Sequence, residues 1–110
     1  MMNLRYKIWL EQSNRKAFGD GPYRMLRLVD QQGSLSRAAR AMDMSYSQAW
    51  NLIKSLEQRL GFCLIQSQAG GKFGGGSSLT PAARALVEKY EKFMTEAGEM
   101  LHQLYRKHFY

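Results

Sequence analysis

Residues 33–60 read GSLSRAARAMDMSYSQAWNLIKSLEQRL, and the order of signals in this stretch decides the fold. Ser34 is a capping residue, and the apolar positions after it, Leu35, Ala38, Ala39 and Met42, recur at spacings of three and four, as on a helix with one buried face. The small alanines let a second helix approach closely. Asp43-Met44 breaks the pattern, and Asp tolerates the left-handed conformation often used in such a turn. Ser45-Tyr46-Ser47-Gln48 then matches a capping box, with Ser45 serving the amide three residues on and Gln48 reaching back. At about 100° per residue the helix that follows puts Ala49, Leu52, Ile53, Leu56 and Leu60 on one face and Ser47, Asn51, Lys54 and Gln58 on the other. Gly61 ends it.

Working outward, Pro22 suits the first turn of a preceding helix that carries Met25, Leu26 and Val29 on one side and stops at Gly33. Leu4 to Glu11 alternates large apolar with charged residues, which predicts a half-buried strand, and Asn14 to Gly21 reads as a polar loop. On the other side, Cys63 to Gln66 predicts a short strand and Ser77 to Leu79 its partner. Between them the Gly-rich segment 70–76 reads as a hairpin tip, because an apolar strand signal lies close on either side. Thr80-Pro81 opens a last helix over about 81–108, interrupted by Gly98 alone. Strand, helix, Ala-rich helix, capped helix, Gly-tipped hairpin and long helix make a mainly α fold with a small β component: a winged helix-turn-helix with a long C-terminal dimerisation helix.

The 110 residues suit one domain spanning 1–110. Apolar residues make up 45% and charged residues 23%, the balance of a chain that folds. Lys and Arg number 16 against 9 Asp and Glu, a net charge of +7 that favours a polyanionic partner, nucleic acid before an anionic membrane surface. The single cysteine, Cys63, sits in an apolar run and reads as a buried free thiol in a reducing cytosol. With no stretch of signal-peptide or membrane-span length, the expectation is a cytoplasmic protein with no membrane partner.

Several of these residues carry a resemblance. Gly33-Ser34 entering the Ala-rich helix, Ser45-Tyr46 with Ala49-Trp50, Gly70-Gly71-Lys72 through Gly74-Gly75-Gly76, and Leu79-Thr80 together resemble the N-terminal domain of molybdate-responsive ModE-type transcription regulators. That domain is related to LysR-type DNA-binding domains. The resemblance runs from about Leu4 to about Leu104 and implies a DNA-binding regulator. ModE-type proteins sense molybdate through separate C-terminal domains, for which these 110 residues leave no room, so the expectation is either an effector that acts on a separate effector-sensing protein or no effector at all. Basic residues common in the family are replaced here by Ser47 and Ser67.

The candidate DNA-binding residues follow. The outer face of helix 45–60 is sized for the major groove, where Gln48 and Asn51 can pair with adenine and Tyr46, Ser47 and Lys54 can reach bases or phosphates. Trp50, at the edge of that face, reads as structural. Lys72 can neutralise a phosphate or enter a minor groove from the wing 70–76, while Ser34, Ser36 and Arg37 are placed to touch the backbone beside the turn. In the last helix Leu86, Tyr90, Phe93, Ala97, Met100 and Leu104 follow steps of four and three, a seam for a homodimer. His102 and His108 are six apart and do not share a helix face, so no metal site follows, and no catalytic motif or cofactor fingerprint is present. The favoured function is a homodimeric regulator of double-stranded DNA; the rival is a winged-helix interaction module pairing with an effector-bearing subunit.

Overall fold

The computed structural model describes residues 1–68 and 76–110, and its element order is two strands, three helices, two strands and a long helix. The strands β1 (Leu10–Gln12) and β2 (Arg15–Phe18) pair antiparallel, with Gln12 opposite Arg15. The two residues between them, Ser13 and Asn14, have φ of 54° and 62°. Positive φ at both central positions is what the tight two-residue hairpin turn requires, because only then does its twist match that of the strands.

This hairpin corrects the reading of the N-terminus. Residues 1–9 form no strand, and the alternation in Leu4 to Glu11 has another cause. Leu4 and Ile8 are half-buried while Tyr6 lies beside the last helix, its hydroxyl 2.8 Å from where a β carbon on Gly98 would stand and its ring 6.4 Å from that of His102. The Tyr105 hydroxyl donates to the carbonyl of Met2 at 2.6 Å, fastening the chain start to the same helix. The segment read as a loop instead holds β2, whose Ala17 and Phe18 are buried.

Helix α1 (Asp20–Gln32) starts two residues before Pro22 and buries Met25, Leu26 and Val29 completely. Gly33 ends it in the left-handed conformation at φ 69°. Helix α2 (Leu35–Ala41) is capped by Ser34, whose hydroxyl accepts from the Arg37 amide at 3.2 Å. Asp43, at φ 56°, makes the predicted left-handed turn. Helix α3 (Tyr46–Leu60) opens with both bonds of the capping box and closes at Gly61, φ 83°. The three helices pack around Leu35, Ala38, Ala39, Ala49, Ile53 and Leu56, and the alanines give the close approach their size predicts.

Strands β3 (Ile65–Gln68) and β4 (Gly76–Leu79) pair antiparallel with Ile65 opposite Leu79. The first begins two residues later than expected, so Leu64 is the buried residue and Cys63 is exposed, correcting the buried thiol. The Cys63 carbonyl accepts instead from the Thr80 hydroxyl at 2.7 Å. The Gly-rich wing tip, Lys72 included, lies outside the described residues. Helix α4 (Pro81–Phe109) has Thr80 as N-cap and Pro81 at its first position, as predicted. Its first three turns close the core with Ala83, Val87 and Tyr90, whose ring meets Phe18 edge-on at 5.1 Å and Tyr23 at 5.1 Å. Burial, then the charge of Glu91, pushes the Tyr23 phenol above its ordinary value, and burial followed by Asp20 does the same for Tyr90. Both rings stay uncharged at neutral pH. Exposed ion pairs Arg84–Asp30 at 2.9 Å and Arg27–Glu91 at 3.7 Å also tie α1 to α4, each contributing at most about 1 kcal/mol.

Two glycines separate rigid from adjustable contacts. A β carbon on Gly76 would stand 2.8 Å from the Gly33 carbonyl oxygen, and the next amide, Ser77, donates to that oxygen at 2.9 Å. Gly76→Ala is therefore expected to cost about 1–3 kcal/mol, since backbone must move and a hydrogen bond is put at risk. Gly98→Ala meets only the movable Tyr6 hydroxyl and regains about 1 kcal/mol of helix propensity, so it is expected to be neutral or stabilising. Urea unfolding of the two variants checks this ranking, and the reverse order would overturn it.

Candidate nucleic-acid interface

The turn between α2 and α3 fixes which side chains leave the surface together. Met44 donates its amide to the Ala39 carbonyl at 2.9 Å, and Asp43 its own to Arg40 at 3.1 Å, so the chain reverses within a few residues. Core contacts through Ala49, Ile53 and Leu56 then set the rotation of α3 about its axis. The consequence is that Tyr46, Ser47, Gln48, Asn51, Lys54 and Gln58 are all exposed, on the part of α3 away from the core. Ser36, Arg37 and Arg40 are exposed on α2 beside the same turn, whereas Ser34 is half-buried.

Hydrogen bonding distinguishes these candidates. The Gln48 side-chain oxygen accepts from the Ser45 amide at 2.9 Å. A two-point contact to adenine uses that oxygen together with the amide nitrogen, so Gln48 would make it either through the oxygen's second lone pair or by releasing the cap. Among the described residues no hydrogen bond engages the Asn51 side chain, which leaves its amide available for such a pair. The Ser34 hydroxyl oxygen accepts the Arg37 amide as its cap, which leaves the O–H able to donate to a phosphate. Lys54 is held between two neighbours, its Nζ 3.1 Å from Glu57 Oε1 and 4.4 Å from the centre of the Trp50 ring. Trp50 is 45% exposed and outside the core, which corrects its reading as a structural residue.

Glu57 is the residue that the pattern of the sequence did not single out. Its side chain is only 10% exposed, and Oε2 accepts from the amides of Leu64 at 2.7 Å and Ile65 at 3.4 Å. One carboxylate thus anchors the start of β3 to the helix and holds Lys54 with its other oxygen. The available signal is a lone acidic residue in α3, one turn before the glycine that ends it.

The expected seam on α4 divides. Leu86 is half-buried and Tyr90 buried within the domain's own core, while Phe93, Met100 and Leu104 are 47%, 64% and 48% exposed and Ala97 is half-buried. Among the described residues there is no group of three or more His, Cys, Asp or Glu side chains able to hold a metal ion, and no helix is long and apolar enough to cross a membrane.

Over residues 23–84 the sequence matches the family model described as bacterial regulatory helix-turn-helix protein, lysR family. The molybdenum transport protein ModE of Herbaspirillum seropedicae is 37% identical over 81 residues, which cover 74% of this chain and 30% of that protein. ModE of Azotobacter vinelandii is 33% identical over 88 residues, 80% of this chain and 33% of that one. The molybdenum-pterin-binding protein MopB of Rhodobacter capsulatus is 36% identical over 77 residues, 70% and 28% respectively. The chain spans about a third of the length of these relatives, matching their N-terminal regions. Among solved structures, the "CbnR_DBD-DNA complex" superposes with a TM-score of 0.56 at 21% identity over 77% of this chain and 92% of that chain. ArgP from Mycobacterium tuberculosis gives 0.54 at 24% identity over 74% and 29%. Both likenesses are of fold, and they agree with the winged helix-turn-helix architecture.

Glu57→Ala leaves the Leu64 amide unpaired in a largely enclosed position, at an expected cost of about 1–3 kcal/mol. Thermal melting should show this as a fall of several degrees. An unchanged midpoint would mean that the carboxylate contributes nothing to the joint between α3 and β3.

Proposed function

This chain belongs to the lysR family of bacterial regulatory helix-turn-helix proteins, and on that premise we propose that it is a sequence-specific, DNA-binding transcription regulator acting as a homodimer. The observation that carries the reading is the polar row Ser47, Asn51 and Lys54, exposed on a doubly capped helix directly after a tight turn. In this motif the second helix enters the major groove with its N-terminal residues on base edges while the first crosses the backbone. Asn51 is the adenine reader in this proposal, with Ser47 and Tyr46 beside it. Gln48 stands beside them, its side-chain oxygen shared with the helix cap. Arg37 and Ser36 contact phosphates from α2, and Lys72 does so from the wing between β3 and β4. The charge of +7 supports a polyanionic partner.

A titration across salt separates this reading from a protein-interaction module. Cationic contacts to phosphate release counterions, so affinity for duplex DNA should fall steeply as salt rises. Lys72→Ala is expected to weaken all duplexes alike and to flatten the salt slope by about one unit. Asn51→Ala should instead lose discrimination at particular base pairs, with about 1–3 kcal/mol at stake. No binding to any duplex at low salt would favour the interaction module. The same uniform loss in both variants would overturn the division of roles.

The second copy is proposed from the outer half of α4. Met100 and Leu104 lie about 21 and 27 Å along the axis from Leu86, at 1.5 Å per residue, beyond the reach of the domain's own core. A two-fold pair would cover Phe93, Met100 and Leu104 and set two copies of α3 about one DNA turn apart, roughly 34 Å, or a multiple of it. Met100→Glu with Leu104→Glu should give folded monomers that bind a two-half-site duplex far more weakly, because like charges cannot be satisfied in a closed seam. Sedimentation at micromolar concentration tests this: a monomeric wild type, or a double mutant that remains dimeric, would rule the seam out.

A further inference from the structure

Tyr46 and Trp50 stand about one helical turn apart at the amino-terminal end of α3, and neither packs against the core. Tyr46 is 53% exposed and Trp50 45%, their ring centres are 6.4 Å apart and their planes differ by 22°, so the two rings form one apolar shelf along the helix edge. Lys54 continues the row, with Nζ 4.4 Å from the Trp50 ring. α3 carries a single carboxylate, Glu57, whose oxygens are engaged by Lys54 on one side and by the Leu64 and Ile65 amides on the other. The shelf therefore ends on a cation and meets no free carboxylate of its own helix.

Two large aromatic rings left in water forgo the stabilisation that burial would give, and nothing else in α3 requires them there. An exposed apolar patch marks a surface that meets something. Its neighbours identify the occupant: Ser47 and Asn51, on the same two turns, are hydrogen-bonding side chains, and Lys54 is complementary to a polyanion. In the major groove the apolar feature of the base edges is the C5-methyl group of thymine. Resting on the reading of α3 as a major-groove helix, we infer that Trp50, backed by Tyr46, is a specificity-determining residue that packs against thymine methyl groups. Asn51 then supplies the polar half of the readout and the aromatic shelf the apolar half, on adjacent strips of one helix.

Replacing thymine by uracil removes the methyl group and leaves base pairing and every polar atom of the edge in place. Duplexes are first selected from a randomised library with the wild-type protein, and each thymine of the enriched site is then changed to uracil in turn. Wild type should lose about fourfold in affinity at one or more positions, which is the burial of one methyl, about 0.8 kcal/mol, at 1.4 kcal/mol per tenfold. Trp50→Ala should be insensitive to uracil at those positions, while Trp50→Phe keeps part of the discrimination. Both variants lack no core contact, and an unchanged melting temperature verifies that they fold. Equal wild-type affinity for thymine and uracil duplexes, with selectivity against unrelated sequence intact, would overturn this inference and leave the proposed function standing. A methyl preference that persists in Trp50→Ala would overturn it too. Failure to enrich any duplex would remove the inference and the proposed function together.

Discussion

The backbone of Gly33 is the joint on which the domain turns. Its left-handed conformation ends α1, its carbonyl oxygen receives the Ser77 amide at 2.9 Å, and the residue after it caps α2. Three elements are therefore oriented by one residue: the supporting helix, the first helix of the motif and the second strand of the wing. Gly76 permits the contact, since any side chain there would press on that oxygen. A residue with a β carbon at Gly33 would be strained by its φ of 69°. Because α3 is in turn located by α2 and by the strand pair through Glu57, the face it presents depends on this joint although Gly33 touches none of the exposed candidates.

Where local chemistry is self-sufficient, the structure was legible in the sequence. Caps at Ser34, Ser45 and Thr80, the stops at Gly33 and Gly61, and the left-handed Asp43 all rest on interactions within a few residues, and all are observed. The N-terminus was not legible for the opposite reason. Ser13-Asn14 lacks the glycine that usually marks a two-residue hairpin, and the hairpin's one large buried residue, Phe18, packs on Tyr90, some seventy residues away. Leu4 to Glu11 alternates, yet only Leu10 and Glu11 join a strand pair, while Tyr6 lies against a helix. Cys63 was misread by two residues because an apolar run does not say which of its members begins the ladder.

The candidate interface divides in the same way. Exposure of Ser47, Asn51 and Lys54 follows from helical period and was predicted. What period cannot reveal is competition for the same atoms. Gln48 is needed by the capping box, Lys54 is held by Glu57 and Trp50, and the Ser34 oxygen accepts from the Arg37 amide. A side chain already engaged within the protein either shares its remaining donors and lone pairs with a ligand or exchanges partners, and the net gain of an exchange is small. Among the described residues no hydrogen bond engages the Asn51 side chain, while the Tyr46–Trp50 shelf carries Lys54 over the Trp50 ring.

Helix α4 runs unbroken from Pro81 to Phe109, about 43 Å at 1.5 Å per residue, while the side chains it packs into or against the core, from Ala83 to Met94, lie in its first four turns. Its free portion behaves mechanically as a lever. A tilt of about 5° where the helix leaves the core displaces the far end, about 22 Å away, by roughly 2 Å, so two copies tilting together change their separation by about 4 Å, close to the rise of about 3.4 Å between adjacent base pairs. In a pair joined through the outer half of this helix, small adjustments at Tyr90 and Val87 would be magnified into whole base-pair changes in the separation of the two reading heads. The tolerance for half-site spacing would thus be set by the packing stiffness of a few aromatic and aliphatic side chains far from any base, with Tyr6 and Met2 bracing the shaft from one side.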